Sequence, residues 1–397
     1  MKKSYLLLTL ILSVGTLSCA EATHSETNPA ATPPVEPGHY FAVPVNAGEI
    51  IETEAMNVRL DEVVSGLGII WGMAFLPDGS VLLTERAGNL RLVRDGQVQP
   101  EPVAGLPEIY AVNQGGLLDV VVHPDYEDNG WIYLSYSART ADGQGYVEVM
   151  RARLDAEGST LTDQEILFQE EPASNARHHF GNRIVFDNNG YMFFTIGDRG
   201  VMNTAQQLDH YGGKVYRLHD DGRIPEDNPF VGNDEAFDEI FTYGNRNPQG
   251  MILHPKTGEL WSHEHGPRGG DELNIMRAGL NYGWPEITYG INYNGTIITE
   301  DTARVGMEQP LHYWTPSIGP SGMAYITGDR YPEWEDNLFI GSLSFQYLHR
   351  SALDGERVVH EERLFEAIGR VRDVRQAPDG YIYFSTDNGS VYRILPE

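Results

Sequence analysis

Met73-Ala-Phe-Leu-Pro-Asp-Gly-Ser-Val-Leu-Leu83 is an apolar run, a Pro-Asp-Gly turn and a second apolar run. The phrase returns as Val120-Val-Val-His-Pro-Asp-Tyr126 leading to Trp131-Ile-Tyr-Leu134, and as Ile184-Val-Phe-Asp-Asn-Asn-Gly-Tyr-Met-Phe-Phe194. It returns again as Met251-Ile-Leu-His-Pro-Lys-Thr-Gly-Glu-Leu-Trp261, as Met323-Ala-Tyr-Ile-Thr-Gly-Asp329 leading to Leu338-Phe-Ile-Gly341, and as Val374-Arg-Gln-Ala-Pro-Asp-Gly-Tyr-Ile-Tyr-Phe384. Each copy reads as two short strands joined by a tight turn. Copies spaced by tens of residues mean a repeat architecture. Strand pairs recurring radially give a β-propeller, whose blades cover each other's apolar faces. Six copies therefore predict an all-β fold, a six-bladed β-propeller with its chemistry at the mouth of the central channel. A ring needs its ends joined, so a strand over 58–63 is expected beside the closing run Ser390-Val-Tyr-Arg-Ile-Leu395. Two insertions, 201–238 and 266–310, are expected as long inter-blade loops after blades three and four. Their aromatics (Tyr211, Tyr216, Tyr282, Trp284, Tyr289, Tyr293) suit packing of the loops or stacking on a sugar or cofactor ring.

The chain of 397 residues is 41% hydrophobic, enough for one closed propeller as a single domain. Its net charge of -29, with few lysines, argues against nucleic acid and acidic membrane surfaces as partners. An anionic ligand would need a local arginine cluster to overcome that field. Lys2 and Lys3 precede an apolar stretch and then Leu17-Ser-Cys-Ala20, the pattern of an export signal too short to span a bilayer. Residues 1–19 are thus expected as a signal peptide, 20–55 as a flexible tether rich in Ala, Thr, Pro and Glu, and 56–397 as the propeller. Cys19, the sole cysteine, excludes an internal disulfide. Two products fit this terminus: a periplasmic or outer-membrane lipoprotein anchored through Cys19, or a soluble periplasmic protein cleaved after Ala20.

Four constellations adjoin the repeat strands. In His178-His179-Phe-Gly-Asn-Arg183 and Thr195-Ile-Gly-Asp198, an imidazole can accept a proton and a buried carboxylate can hold its tautomer. A lone histidine before a strand is also commonly structural. In Gly244-Asn-Arg-Asn-Pro-Gln-Gly250, Arg246 offers a planar fork of donors and Asn247 an amide, although Asn-Pro also marks a turn. His263-Glu-His-Gly-Pro-Arg-Gly-Gly-Asp-Glu272 lacks further zinc-ligand spacing. Its Gly266-Pro267 bend can present consecutive carbonyls, and oxygen-only ligation suits calcium. Arg370-Val-Arg372 would point two guanidiniums to one side of a strand, toward an anion or into solvent.

In order and spacing these motifs, with Asn113-Gln-Gly-Gly-Leu-Leu118, Asn281-Tyr-Gly-Trp-Pro285 and Arg370-Val-Arg-Asp373, resemble the soluble pyrroloquinoline quinone (PQQ)-dependent aldose sugar dehydrogenases of the glucose/sorbosone dehydrogenase family. The resemblance runs from about Gly66 to the C-terminus. It implies a six-bladed propeller that oxidises aldoses at the anomeric carbon to lactones, with PQQ and calcium, and passes electrons to an acceptor the sequence does not name. His179 would be the general base, Asp198 would orient it, and Arg246 would stabilise charge on the quinone oxygen. Gln114, Arg246 and Asn247 would line the quinone and substrate site, and Arg370 and Arg372 would hold the cofactor carboxylates. Carbonyls of Gly266 and Pro267 would bind calcium, and Glu272 and Tyr282 resemble parts of a second, structural calcium site.

One position departs from the family. Gly341-Ser-Leu-Ser344 carries serine where a cofactor-contacting lysine is usual. A charged hydrogen bond contributes roughly 1.5–3 kcal/mol against about 1 for a neutral one, so the loss weakens cofactor binding about tenfold or less. The same serine also fits a different quinone pose or a scaffold without activity. Two rival functions stay open on the sequence: a calcium-dependent propeller lactonase, and a non-catalytic sugar-binding propeller.

Overall fold

A computed structural model describes residues 48–397. Residues 1–47, which hold the expected signal peptide, Cys19 and most of the expected tether, lie outside the described residues. The described chain enters through β1 (Ile50–Glu52) and β2 (Asn57–Val64). Blade one is β3 (Ile70–Phe75), β4 (Val81–Glu85), β5 (Asn89–Arg94) and β6 (Gln97–Val98). Blade two is β7 (Leu117–Val122), β8 (Trp131–Arg139), β9 (Gly145–Leu154) and β10 (Leu161–Gln169); blade three is β11 (Ile184–Phe186), β12 (Tyr191–Ile196), β13 (Lys214–His219) and β14 (Ile240–Tyr243). Blade four is β15 (Pro248–Leu253), β16 (Leu260–Glu264), β17 (Asp271–Met276) and β18 (His312–Trp314); blade five is β19 (Pro320–Tyr325), β20 (Asn337–Ser342), β21 (Leu348–Asp354) and β22 (Arg357–Leu364). Blade six is β23 (Val371–Gln376), β24 (Ile382–Thr386) and β25 (Val391–Pro396), completed by β2 and edged by β1.

The repeated phrase is the two inner strands of every blade, and the expected closure is present. Antiparallel pairs Leu60 with Ile394 and Arg59 with Leu395 zip the N-terminal strand onto the C-terminal one. Two boundaries differ from expectation. β1 lies inside the stretch assigned to the tether, because its residues pair with 57–59 of β2 and extend the closing blade. The two insertions lie within blades three and four rather than between blades. Residues 201–238 contain β13, and 266–310 contain β17, short polar-rich strands whose patterning is masked by flanking Gly, Asn and Tyr.

Blades are joined by apolar packing between sheets and by polar contacts at the axis. Buried hydroxyls on second strands donate to carbonyls at the first strand of the next blade. Ser135 Oγ reaches Asn182 O at 2.8 Å, Thr195 Oγ1 reaches Pro248 O at 3.2 Å, and Ser385 Oγ reaches Ile70 O at 3.0 Å. At the axis, Arg183 Nη1 donates to Asp119 at 3.1 Å and Asp373 at 3.0 Å, and Arg375 donates to the same two carboxylates at 2.8 and 3.0 Å. The carboxylates also accept from backbone N–H groups of Met73 and Ile184, and Arg183 Nε donates to Gln249 O. Inner strands of blades one, two, four and six, with Arg183 at the start of blade three's, are thereby tied to one charged cluster whose lone pairs and protons are largely satisfied.

Antiparallel alternation decides which loops share a face. The first strand of each blade runs away from the inter-blade loop, and the second returns. Loops joining second to third strands therefore emerge on the same face as the inter-blade loops, and the Pro-Asp-Gly turns emerge on the other.

Breaking a buried ion pair leaves its partner uncompensated, at a cost of about 3–5 kcal/mol. Arg183→Met is expected to lower the unfolding free energy by that amount in denaturant titrations. A matched exposed change, Arg223→Met, is expected to be near neutral.

Candidate active site

The residues singled out from sequence converge on the face of the inter-blade loops. Gln114 sits between β6 and β7, His179 between β10 and β11, and Arg246 and Asn247 between β14 and β15. Asp198 follows β12, Gly266 and Pro267 follow β16, and Arg370 and Arg372 lie at the start of β23. A cavity of about 440 Å³ is walled by His179, Asp198, Arg246, Pro267, Trp284 and Tyr293. A second, of about 250 Å³, is walled by Trp71, Arg86, Asn247, His265, Arg370 and Arg372. Asn113 and Gln114 wall both, so the two are neighbours. A third cavity of about 390 Å³ opens among inner-strand side chains such as Phe186, Met251 and Tyr325, and holds none of the singled-out residues.

His179 Nδ1 lies 2.6 Å from Asp198 Oδ1. Asp198 Oδ1 also accepts from Gly200 N at 2.7 Å, and Oδ2 accepts from Trp284 Nε1 at 2.8 Å. Burial pushes the Asp198 carboxyl up, but the hydrogen bond and charge of His179, with Gly200 N and Arg246, more than offset it, and the group lies below its ordinary value. An ionised Asp198 accepts only, so the proton of neutral His179 sits on Nδ1 and the Nε2 lone pair faces the cavity. Burial depresses the imidazole below its ordinary value, the Asp198 hydrogen bond opposes, and the charge of Arg246 adds to the depression. The ring is therefore a free base at neutral pH. Its backbone is in the left-handed region at φ 55, uncommon for a side-chain-bearing residue, with its N–H donated to Gln114 Oε1 at 2.8 Å. Gly197 must lack a Cβ here, since one would stand 2.4 Å from His179 O.

Arg246 is buried. Its Nη1 donates to His265 O at 3.0 Å and Gly266 O at 2.8 Å, while its buried Nε has no partner. The loop carrying it is clamped from below by Glu264, which accepts from Asn245 Nδ2 at 3.0 Å, Asn247 N at 3.2 Å and Arg246 N. Asn247 Oδ1 accepts from Gly181 N at 3.2 Å and Gln249 Nε2 at 3.3 Å. The middle residue of the His-Glu-His triplet is thus a scaffold. His263 is enclosed in the core, and His265 faces the second cavity with Nε2 2.6 Å from Pro320 O. Burial pushes His265 down to about 3, so it is neutral there.

Arg370 and Arg372 do share a side, and their target is a carboxylate. Asp387 accepts from Arg372 Nε and Nη2 at 2.9 and 3.0 Å and from Arg370 Nε at 2.9 Å. Ser344 is exposed, and its N–H is donated to Ile318 O. The preceding Leu343 accepts from Arg370 Nη1 at 3.1 Å.

Glu272 and Tyr282, the residues that resemble a second calcium site, each have other partners, and Glu272 accepts from Asn274 Nδ2 at 3.3 Å. Glu272 is pressed upward by burial and by the charges of Glu264 and Asp271. The Tyr282 hydroxyl is instead committed to its own hairpin, donating to Ile275 O at 2.5 Å and accepting from Arg277 N at 2.9 Å. No contact joins the two side chains, and no cluster of three or more His, Cys, Asp or Glu side chains suited to a metal occurs among the described residues. At the first calcium position, Gly266 N is donated to Asp271 Oδ1 at 2.8 Å, which fixes the bend. Sequence reasoning missed Trp284 as an Asp198 partner, along with Arg86 and Asp387. The Asn-Tyr-Gly-Trp-Pro motif pointed to the first; the others lie in turns and strand ends without a composition signal.

Residues 67–393 match the family model described as Glucose / Sorbosone dehydrogenase. The chain is 45% identical over 364 residues to the aldose sugar dehydrogenase YliI of Escherichia coli, spanning 90% of this chain and 98% of that protein. A crystal structure of a glucose dehydrogenase superposes with a TM-score of 0.82 at 42% identity, covering 85% of this chain and 99% of the other. The PQQ-bound form of an aldose sugar dehydrogenase from Streptomyces coelicolor superposes with a TM-score of 0.70 at 25% identity, covering 86% and 98%.

Removal of the Asp198 charge removes the influence that holds the His179 proton. In NMR titrations, His179 is expected to titrate below a free imidazole, and lower still in Asp198→Asn. The signal is assigned by its loss in His179→Gln.

Proposed function

This chain belongs to the glucose/sorbosone dehydrogenase family, and from there we propose that it is a PQQ-dependent dehydrogenase that oxidises aldose sugars at the anomeric carbon to lactones. The observation that carries this reading is the unprotonated His179 Nε2 facing one cavity with Arg246, beside a second cavity rich in guanidinium groups.

The residues present fit an acidic quinone. Arg370 and Arg372 keep N–H groups beyond those given to Asp387, and the buried Arg246 Nε awaits an acceptor. Gln114 and Asn247 border the same space. When bound, the quinone would supply two-electron oxidising capacity for the anomeric C–H. His179 Nε2 takes the proton of the anomeric hydroxyl, leaving the carbonyl of the lactone. Asp198 stabilises the resulting imidazolium, and Trp284 Nε1 fixes the carboxylate so that it does not rotate away. Arg246, held by the carbonyls of His265 and Gly266, would lend positive charge to a bound quinone. Gly266 and Pro267 would offer carbonyl oxygens to a calcium ion, which would supply Lewis-acid charge in place of the Arg246 Nη1 contact to Gly266 O. Calcium takes 6–8 oxygens, so two carbonyls alone would not complete its shell. No second calcium at Glu272 and Tyr282 is proposed.

Apo-protein given PQQ and calcium is expected to reduce a redox dye in an aldose-dependent way, and His179→Ala is expected to be about 10²- to 10⁴-fold slower. Absence of turnover with every aldose, or full activity in His179→Ala, would overturn the assignment.

The terminus supports a second part of the proposal: an exported lipoprotein held at the periplasmic side of a membrane through Cys19, reached by a tether, and passing electrons to an acceptor in that compartment. Cys19→Ser is expected to move the protein from the membrane to the soluble fraction. Unchanged partitioning would favour cleavage after Ala20.

A further inference from the structure

We propose that Arg86 is a cofactor-binding residue that completes a three-guanidinium cradle with Arg370 and Arg372 for the acidic groups of the quinone, and supplies the positive charge that Ser344 lacks. This rests on the PQQ reading above.

Arg86 follows β4 and lines the second cavity with both of the other arginines. Its main chain is fixed on both sides. Its N–H is donated to Ile69 O at 2.8 Å, and its carbonyl accepts from Leu117 N at 3.1 Å. Gly116, in the Asn-Gln-Gly-Gly motif, leaves room for this contact, since a Cβ there would stand 2.0 Å from Arg86 O and 2.6 Å from its Cγ. The motif that contributes Gln114 to the site therefore also seats Arg86.

The side chain is half-buried, yet it makes no hydrogen bond or ion pair among the described residues. The contrast with its neighbours is the core of the argument. Arg372 commits one edge of its fork to Asp387, and Arg370 divides its donors between Asp387 and Leu343 O. Arg86 keeps all five donors. Burial and the nearby charge of Arg372 press its pKa downward, with Asp387 opposing. Three guanidiniums thus face a single carboxylate in a protein whose net charge is -29. Holding like charges together in a partly desolvated pocket is unfavourable unless an anion joins them. A multiply charged carboxylate ligand is the group that satisfies both the surplus charge and the open fork.

The test is equilibrium titration of PQQ into apo-protein with calcium, read by quenching of tryptophan fluorescence, since Trp71 lines the same cavity. Arg86→Gln is expected to raise Kd roughly 10- to 100-fold, as loss of a charged hydrogen bond would. Arg86→Lys, which keeps charge but not the fork, is expected to fall between the two and serves if the glutamine variant does not fold. PQQ trimethyl ester is expected to bind wild type and Arg86→Gln alike. Equal PQQ affinity in wild type and Arg86→Gln would overturn the assignment and leave the function standing. So would equal weakening of acid and ester, which would mark a shape effect. A wild-type chain that binds no PQQ would overturn the function and this assignment with it.

Discussion

Two arginines and two aspartates at the propeller axis are the constraint on which the rest depends. Arg183 and Arg375 bridge Asp119 and Asp373, and backbone groups of neighbouring strands occupy further lone pairs and protons. Isolated buried charges would cost several kcal/mol each, so the cluster is stable only when its members arrive together. Those members come from β7, the start of β11 and β23. The network is therefore satisfied only in the closed ring. Apolar packing holds neighbouring blades together, but it is non-directional. The axial charges add direction, and so help set where the inter-blade loops of the blades they tie point.

That rigidity is what a proton-transfer site needs. His179, Asp198 and Trp284 come from three separate connections, and their hydrogen bonds are 2.6–2.8 Å long. A loop in a sparsely populated conformation places the imidazole, and an enclosed carboxylate sets its tautomer. Arg246 is held from two sides, by carbonyls ahead of it and by Glu264 beneath it. His179 and Asp198 need not reorganise to meet developing charge, which is the condition under which fixed dipoles and charges favour a transition state.

The electrostatics run against the global field. The surface is strongly acidic, whereas Arg86, Arg370 and Arg372 are gathered round one carboxylate. Salt screens exposed charges over about 10 Å, so the distant acidic surface counts for less than the groups lining the cavity. Asp387 has two effects: it relieves repulsion between Arg370 and Arg372, and it fixes their forks before a ligand arrives. Arg86, left open, gives the pocket its surplus charge.

Much of this was legible in the chain. Six copies of one phrase set the number of blades, because each copy can bury its apolar face only against another. The closing strand followed from the need to join the ends. His179 with Asp198, Arg246 with Asn247, and Arg370 with Arg372 were readable because short-range motifs preserve the donors and acceptors that the chemistry requires. The extent of β1, the strands hidden in the two insertions, and the commitment of the Tyr282 hydroxyl to Ile275 and Arg277 were not readable. They depend on pairing and side-chain direction, which polar, glycine-rich stretches do not encode by periodicity. Trp284 behind Asp198, Asp387 between two arginines and the open fork of Arg86 belong to the tertiary structure alone. The two contacts span 15 to 86 residues, and local composition carries no record of which distant groups will share a desolvated space. Sequence determined the blades and the kinds of groups at their mouths; folding decided which of those groups were paired and which were left free for a ligand.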